Sequence, residues 1–117
     1  MILGFNKRFP EKIINGTKIH TFREDKNNRW KSGRVIHFAT GVRTKNYHQF
    51  MVGECKSTQE IEIYPFTGEI VIDGKGISVN QLYEVARNDG FDQLQEFFNW
   101  FNQNFSGKII HWTDYRY

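Results

Sequence analysis

Lys18, Thr21 and Arg23 fall within the run Gly16-Thr17-Lys18-Ile19-His20-Thr21-Phe22-Arg23. Each residue type brings its own chemistry. A lysine drawn partly out of water has a lowered pKa and can serve as a base. A threonine hydroxyl beside such a base can attack a carbonyl. An arginine offers a planar fork to a phosphate or a carboxylate. His20 lies among the three and can touch the same ligand. The spacing sets a condition. On a regular strand Lys18, His20 and Phe22 share one face and Thr21 lies on the other. The lysine and threonine therefore converge only across a bulge, or if Lys18 precedes the strand proper.

The elements that must hold these residues can be read from pattern. Met1–Phe5 is a short apolar opening that suits a buried strand. Phe9 to Gly16 reads as a short helix, with Pro10 at its first position and Gly16 at its left-handed stop. Residues 17–23 read as a strand, and 24–32 as a charged loop around Trp30. Strands are expected at 34–39, 49–56, 60–64 and 69–72, with a polar connection at 41–48 and a turn at Asp73-Gly74. Ser78 with Gln81 forms a capping box, and Leu82, Val85 and Ala86 recur at helical spacing until Gly90. Asp92 with Gln95 opens a second helix. Leu94, Phe97, Phe98, Phe101 and Phe105 make a stripe along it that faces a core. Lys108–Trp112 closes the chain as a strand.

This order is strand, short helix, several strands, two helices and a last strand. It predicts an α+β domain over residues 1–117 with a mainly antiparallel, barrel-like sheet, and not a doubly wound fold, which needs a helix between most strands. The chain has 117 residues, enough for one core. Eleven Phe, five Tyr and three Trp make an aromatic core expected, with some rings left to stack on a base. Trp30 and Tyr47, in basic polar loops, are the rings placed to do so.

Charge is segregated. Residues 1–34 hold nine Lys and Arg against three acids, for a net +6, whereas the remaining residues carry seven bases and ten acids, for −3. A basic first third favours a phosphate-bearing or polyanionic partner. The single cysteine, Cys55, excludes an internal disulfide and fits a reducing compartment. No apolar run approaches a membrane span and no secretory pattern opens the sequence. A cytoplasmic setting without membrane contact is expected. His20, His37, His48 and His111 do not pair with each other or with a cysteine at ligand spacing, so no metal is expected. His37 and His111 lie in predicted strands and read as structural. No cofactor is expected, since phosphate-binding and dinucleotide-binding glycine loops and the nucleophile elbow are all absent.

The run from Asn15 to Arg23, followed by Lys31-Ser32-Gly33-Arg34-Val35-Ile36, resembles the front half of an ASCH domain, a small β-barrel of the PUA-like superfamily. Ala86-Arg87-Asn88-Asp89-Gly90-Phe91-Asp92 resembles that family's acid-glycine-phenylalanine element ahead of a helix. The resemblance implies a PUA-like barrel with a pocket that meets RNA, a nucleotide or a nucleoside. One branch of the family cleaves the acyl amide of acetylated cytidine with a lysine, a threonine three residues later, and a glutamate. Lys18 and Thr21 match the first two. Asp89 falls where the glutamate stands, one methylene shorter. By type alone, Asn88-Asp89-Gly90 reads as a helix end and turn. The implied roles are a basic pocket in which Lys18 and Arg23 hold oxygens while Thr21 and Asp89 bond a base, or an amidohydrolase site of Lys18, Thr21 and Asp89.

Overall fold

The computed structural model describes residues 1–117 as eight strands and three helices. In chain order these are β1 (Ile2–Phe5), α1 (Pro10–Ile14), β2 (His20–Arg23), β3 (Val35–Thr40), β4 (His48–Glu54), β5 (Ser57–Tyr64), β6 (Glu69–Ile72), β7 (Lys75–Gly76), α2 (Val79–Asn88), α3 (Leu94–Trp100) and β8 (Phe105–His111). The α+β class, the short first helix and the two later helices stand as expected.

The closed barrel does not. The strands form two separate sheets, β1-β3-β4 and β2-β8-β5-β6-β7, with no strand pairing between them. All pairs are antiparallel except β1 with β3. The reason lies at Cys55-Lys56, where the chain leaves one sheet for the other within two residues. The Cys55 N–H still bonds Arg34 O in the first sheet, at 2.8 Å, while the Lys56 N–H already bonds His111 O in the second, also at 2.8 Å. The first sheet ends in β4 and the second in β2, and neither edge is joined to the other.

Both faces of the second sheet are covered. On β5, the buried Gln59, Ile61 and Ile63 share a face with Ile109 and with Phe22, which meets Phe97 of α3, whereas Ile110 lies on the opposite face with Thr21. Ile36 and Phe38 come from β3 and Ile109 and Ile110 from β8, all with no exposed surface. Aromatic rings complete this core. Phe97 on α3 is fully buried, and its ring lies 5.0 Å from that of Phe101, 5.3 Å from Phe98, 5.7 Å from Phe91 and 6.1 Å from Phe22. Truncating such a residue to alanine costs about 3–5 kcal/mol.

Three boundaries depart from expectation, each for a local reason. β2 begins at His20 because residues 18 and 19 bond to helix ends instead of to a strand, as described below. α3 begins at Leu94 with Gln93 at its N-cap and no side-chain cap, and Asp92, one residue before the cap, pairs with Lys12 instead (Nζ to Oδ1, 3.0 Å). Phe105 is not on that helix. It opens β8, which starts three residues earlier than expected and runs through Gly107. A Cβ at residue 107 would lie 2.4 Å from the Arg23 carbonyl oxygen, so glycine permits the close approach of β8 to β2. The capping box at α2 forms as expected, Gln81 N–H to Ser78 Oγ and Ser78 N–H to Gln81 Oε1, both at 3.2 Å.

Candidate functional site

The segment before β2 is fastened at two points. The Lys18 N–H bonds Lys12 O in α1, and the Ile19 N–H bonds Asn88 O at the end of α2, both at 2.9 Å. Lys18 thus precedes the strand, which meets the second of the two conditions its spacing imposed. The same contacts bring the end of α2 alongside. Asp89 is the C-cap of α2, and Gly90, at φ +97°, turns the chain away beneath the lysine.

Lys18 and Asp89 meet there as a buried pair, 2 % and 3 % exposed. Lys18 Nζ donates to the Asp89 main-chain oxygen at 2.6 Å and to its carboxylate Oδ1 at 3.0 Å. It also faces the Phe9 ring, 4.7 Å from the centroid. Burial holds the lysine pKa below its ordinary value, against the opposing pull of Asp89. Two of its three N–H positions are thus occupied by Asp89.

His20, the first residue of β2, is fully buried behind this pair. Its Nδ1 lies 3.3 Å from Asp89 Oδ1 and its Nε2 lies 2.6 Å from the Tyr117 hydroxyl. Burial lowers its pKa, so the ring is neutral near pH 7. Burial likewise raises the Tyr117 phenol. Asp89 Oδ2 takes no hydrogen bond from the protein and is not a fully buried atom, since the one buried side-chain polar atom without a partner is His111 Nδ1. One carboxylate oxygen is therefore locked by two donors and the other is open.

Thr21 and Arg23 alternate with His20 along β2. Arg23 Nη2 donates to Gly4 O at 2.7 Å, its Nε reaches Thr21 Oγ1 at 3.4 Å, and its guanidinium covers the Phe5 ring at 5.1 Å. No hydrogen bond joins Thr21 to Lys18.

Lys18, Thr21, Arg23 and Asp89 line one cavity of about 290 Å³, walled by Phe5, Phe9, Phe91, Trp100 and Phe101. The Trp100 ring packs 5.6 Å from Phe9 and 5.7 Å from Phe91. Small-molecule pockets begin near 300 Å³, so this one suits a single planar group held between rings. The first helix region, the β2 segment and the α2–α3 turn, far apart in sequence, meet in this one hollow.

The remaining sequence-predicted residues lie elsewhere. His20 backs the site without lining the cavity. Trp30 is 6 % exposed and belongs to the core, its loop held by Asp25, whose carboxylate accepts from the Arg29 and Trp30 N–H groups at 2.8 Å. Tyr47 is exposed in the β3–β4 connection and does not line the cavity. No group of three His, Cys, Asp or Glu is arranged to hold a metal ion, and no helix is long and apolar enough to cross a membrane.

Three contributors were not among the sequence-predicted site residues. Lys12 fastens the turn after Asp89 by donating to Gly90 O at 2.7 Å. Asn88 donates to the Tyr117 hydroxyl at 3.0 Å, and Tyr117 arrives from the tail. The unusually aromatic tail, His111 to Tyr117, was the one signal in the sequence for the last of these. Comparison of the chain with protein-family models, with characterised proteins and with solved structures finds no match.

Proposed function

We propose that the cavity binds the base of a nucleoside or nucleotide and hydrolyses an acyl amide on it, as in the ASCH branch that the sequence resembles. The PUA-like kinship, in an open two-sheet form, and a cytoplasmic setting belong to the same reading. One observation carries it: a desolvated lysine, a threonine hydroxyl and a carboxylate line a single aromatic-walled cavity. Aromatic walls favour a base, because every base offers a π-face. The cavity volume favours one base over a run of nucleotides, so an RNA partner would present a single unstacked residue.

In the proposed reaction Thr21 Oγ bonds to the acyl carbon while its proton passes to the neutral Lys18 amine. Asp89 stabilises the ammonium as it forms, and Arg23 faces the oxyanion. The C–N bond then breaks and the leaving amine takes the proton back from Lys18. Water attacks the threonyl ester, releasing the carboxylic acid and restoring the hydroxyl. Lowering of the Lys18 pKa by burial raises the fraction of neutral amine available for the first step.

Incubation with acetylated cytidine, following acetate release, tests this. Release is expected, with loss in both Thr21→Ala and Lys18→Ala. Full activity in Thr21→Ala removes the nucleophile assignment. Absence of nucleoside binding by calorimetry removes the reading as a whole.

A further inference from the structure

We propose that His20 and Tyr117 are positioning residues of this site, joined through Asp89 to Lys18 as one oriented chain of hydrogen bonds. Its effect on turnover rests on the function proposed above, whereas its orientation does not.

The carboxylate end sets the direction. His20 Nδ1 lies 3.3 Å from Asp89 Oδ1, where an ionised carboxylate can only accept, and the opposite tautomer would set a lone pair against it. Nδ1 therefore carries the proton of a neutral imidazole, and Nε2 is its acceptor nitrogen. The Tyr117 hydroxyl fits this form: its oxygen accepts from Asn88 Nδ2 at 3.0 Å, and its one proton points to His20 Nε2 at 2.6 Å.

The surroundings hold this direction in place. His20 stacks on Phe22, with centroids 5.2 Å apart, and meets the edge of His111 at 5.5 Å. Gln59 grips the Tyr117 main chain twice, its Oε1 accepting from the Tyr117 N–H at 2.9 Å and its Nε2 donating to the Tyr117 main-chain oxygen at 3.0 Å. The same Oε1 accepts from His111 Nε2 at 2.9 Å, which fixes that second imidazole as its Nε2–H tautomer. The orphaned His111 Nδ1 is then a lone pair and not a stranded proton.

What the chain does follows from Asp89. Its Oδ1 is held by Lys18 and His20 together, so the carboxylate cannot rotate away from the lysine, and Oδ2 stays turned to the opening. Loss of the tyrosine hydroxyl leaves the fold's apolar contacts but frees Nε2, weakens the Nδ1–H tautomer and loosens Asp89.

Nitrogen-15 NMR of the histidines in the whole protein, with acetate release from acetylated cytidine measured alongside, tests the proposal. The expected spectrum has His20 protonated on Nδ1, with an unprotonated Nε2 that moves downfield in Tyr117→Phe as its donor is lost. Turnover by Tyr117→Phe is expected to fall about 10-fold in kcat with KM unchanged, the lower end of what removing the hydrogen-bond partner that orients a working histidine costs in metal enzymes. His20→Asn, which keeps an amide donor near the Nδ1 position, should retain more kcat than His20→Leu. An Nε2–H tautomer in the parent protein overturns the proposal, as does a Tyr117→Phe variant with unmoved resonances. A parent protein that releases no acetate but shows the Nδ1–H tautomer and the downfield move upholds the chain and refutes the hydrolase reading instead.

Discussion

Lys18 Nζ bonds both the main-chain oxygen and the carboxylate of Asp89, at 2.6 and 3.0 Å. The residue that ends α2 therefore takes up two of the lysine's protons at once. A methylene shorter than glutamate, Asp89 reaches the ammonium because its own backbone comes to the lysine. The Asn88 O to Ile19 N–H bond brings that backbone there. The pair is buried, so its two halves depend on each other. An ion stripped of its partner in such a place costs about 3–5 kcal/mol, whereas apolar replacement of both is often close to neutral. Asp89→Ala and Lys18→Met should each lose stability of about that size. Lys18→Met combined with Asp89→Ala should lose much less than the sum. Urea unfolding of the four proteins measures the coupling, and additive losses would show that the pair is not mutually supporting.

The imidazoles make stability depend on pH. Burial pushes His111 down to about 3, and His20 is lowered in the same direction by the same cause. The unfolded chain titrates these groups near 6.5, so below that value the unfolded state binds more protons than the folded one, for His111 down to about 3. Their contribution is complete above pH 6.5 and is lost as pH falls, with a slope of at most about 1.4 kcal/mol per pH unit for each ring. Stability should therefore decline on acidification from pH 7 to 5. His111→Gln, which keeps a donor toward Gln59, should flatten the decline. Unfolding free energies at pH 7, 6 and 5 check this, and an unchanged slope in His111→Gln would exclude His111 as a source.

Gly90 is required twice over. Its φ of +97° favours glycine, and a Cβ there would lie 3.1 Å from Lys18 Cδ and from two atoms of the Phe9 ring. Gly90→Ala should cost about 1–2 kcal/mol for the left-handed backbone alone. It should also push Lys18 away from Asp89, so ligand binding should weaken more than the stability loss explains. Thermal unfolding and nucleoside titration of the same variant separate the two effects.

The local signals in the sequence were sound where a single element determined the outcome. The Ser78–Gln81 capping box, the Pro10 start and the Gly90 stop all depend on neighbours within one turn, and all appear in the fold. The Lys18–Thr21 spacing pointed to the cavity, with the condition that Lys18 leave the strand. Long-range geometry was not legible. Closure of the sheet depended on how Cys55-Lys56 divides its bonds between two partners, which pattern does not encode. Trp30 looked like a stacking ring because its neighbours are charged, yet Asp25 folds those neighbours back and buries the indole. Trp100 lies outside the Leu94–Phe105 stripe and forms a wall of the cavity, a placement no helical spacing pointed to. Tyr117 joins the site through one hydroxyl, and no spacing rule reaches from residue 20 to residue 117.

Trp100 gives the ligand reading a direct optical test. It is the one tryptophan lining the cavity and is 46 % exposed, whereas Trp30 lies in the core and Trp112 packs against Phe38 with centroids 4.9 Å apart. A base entering between the aromatic walls should quench Trp100 emission and leave the other two unchanged. Stacking of a base on an aromatic side chain is worth about 1–3 kcal/mol by alanine substitution. Trp100→Ala should therefore weaken nucleoside binding by about 5- to 150-fold, and Trp100→Phe, which keeps a ring, by less. Because Lys18 is buried and an uncharged nucleoside brings no phosphate, binding should change little as salt rises, unlike contacts made through phosphates. Quenching that persists in Trp100→Phe would place the ligand outside this cavity.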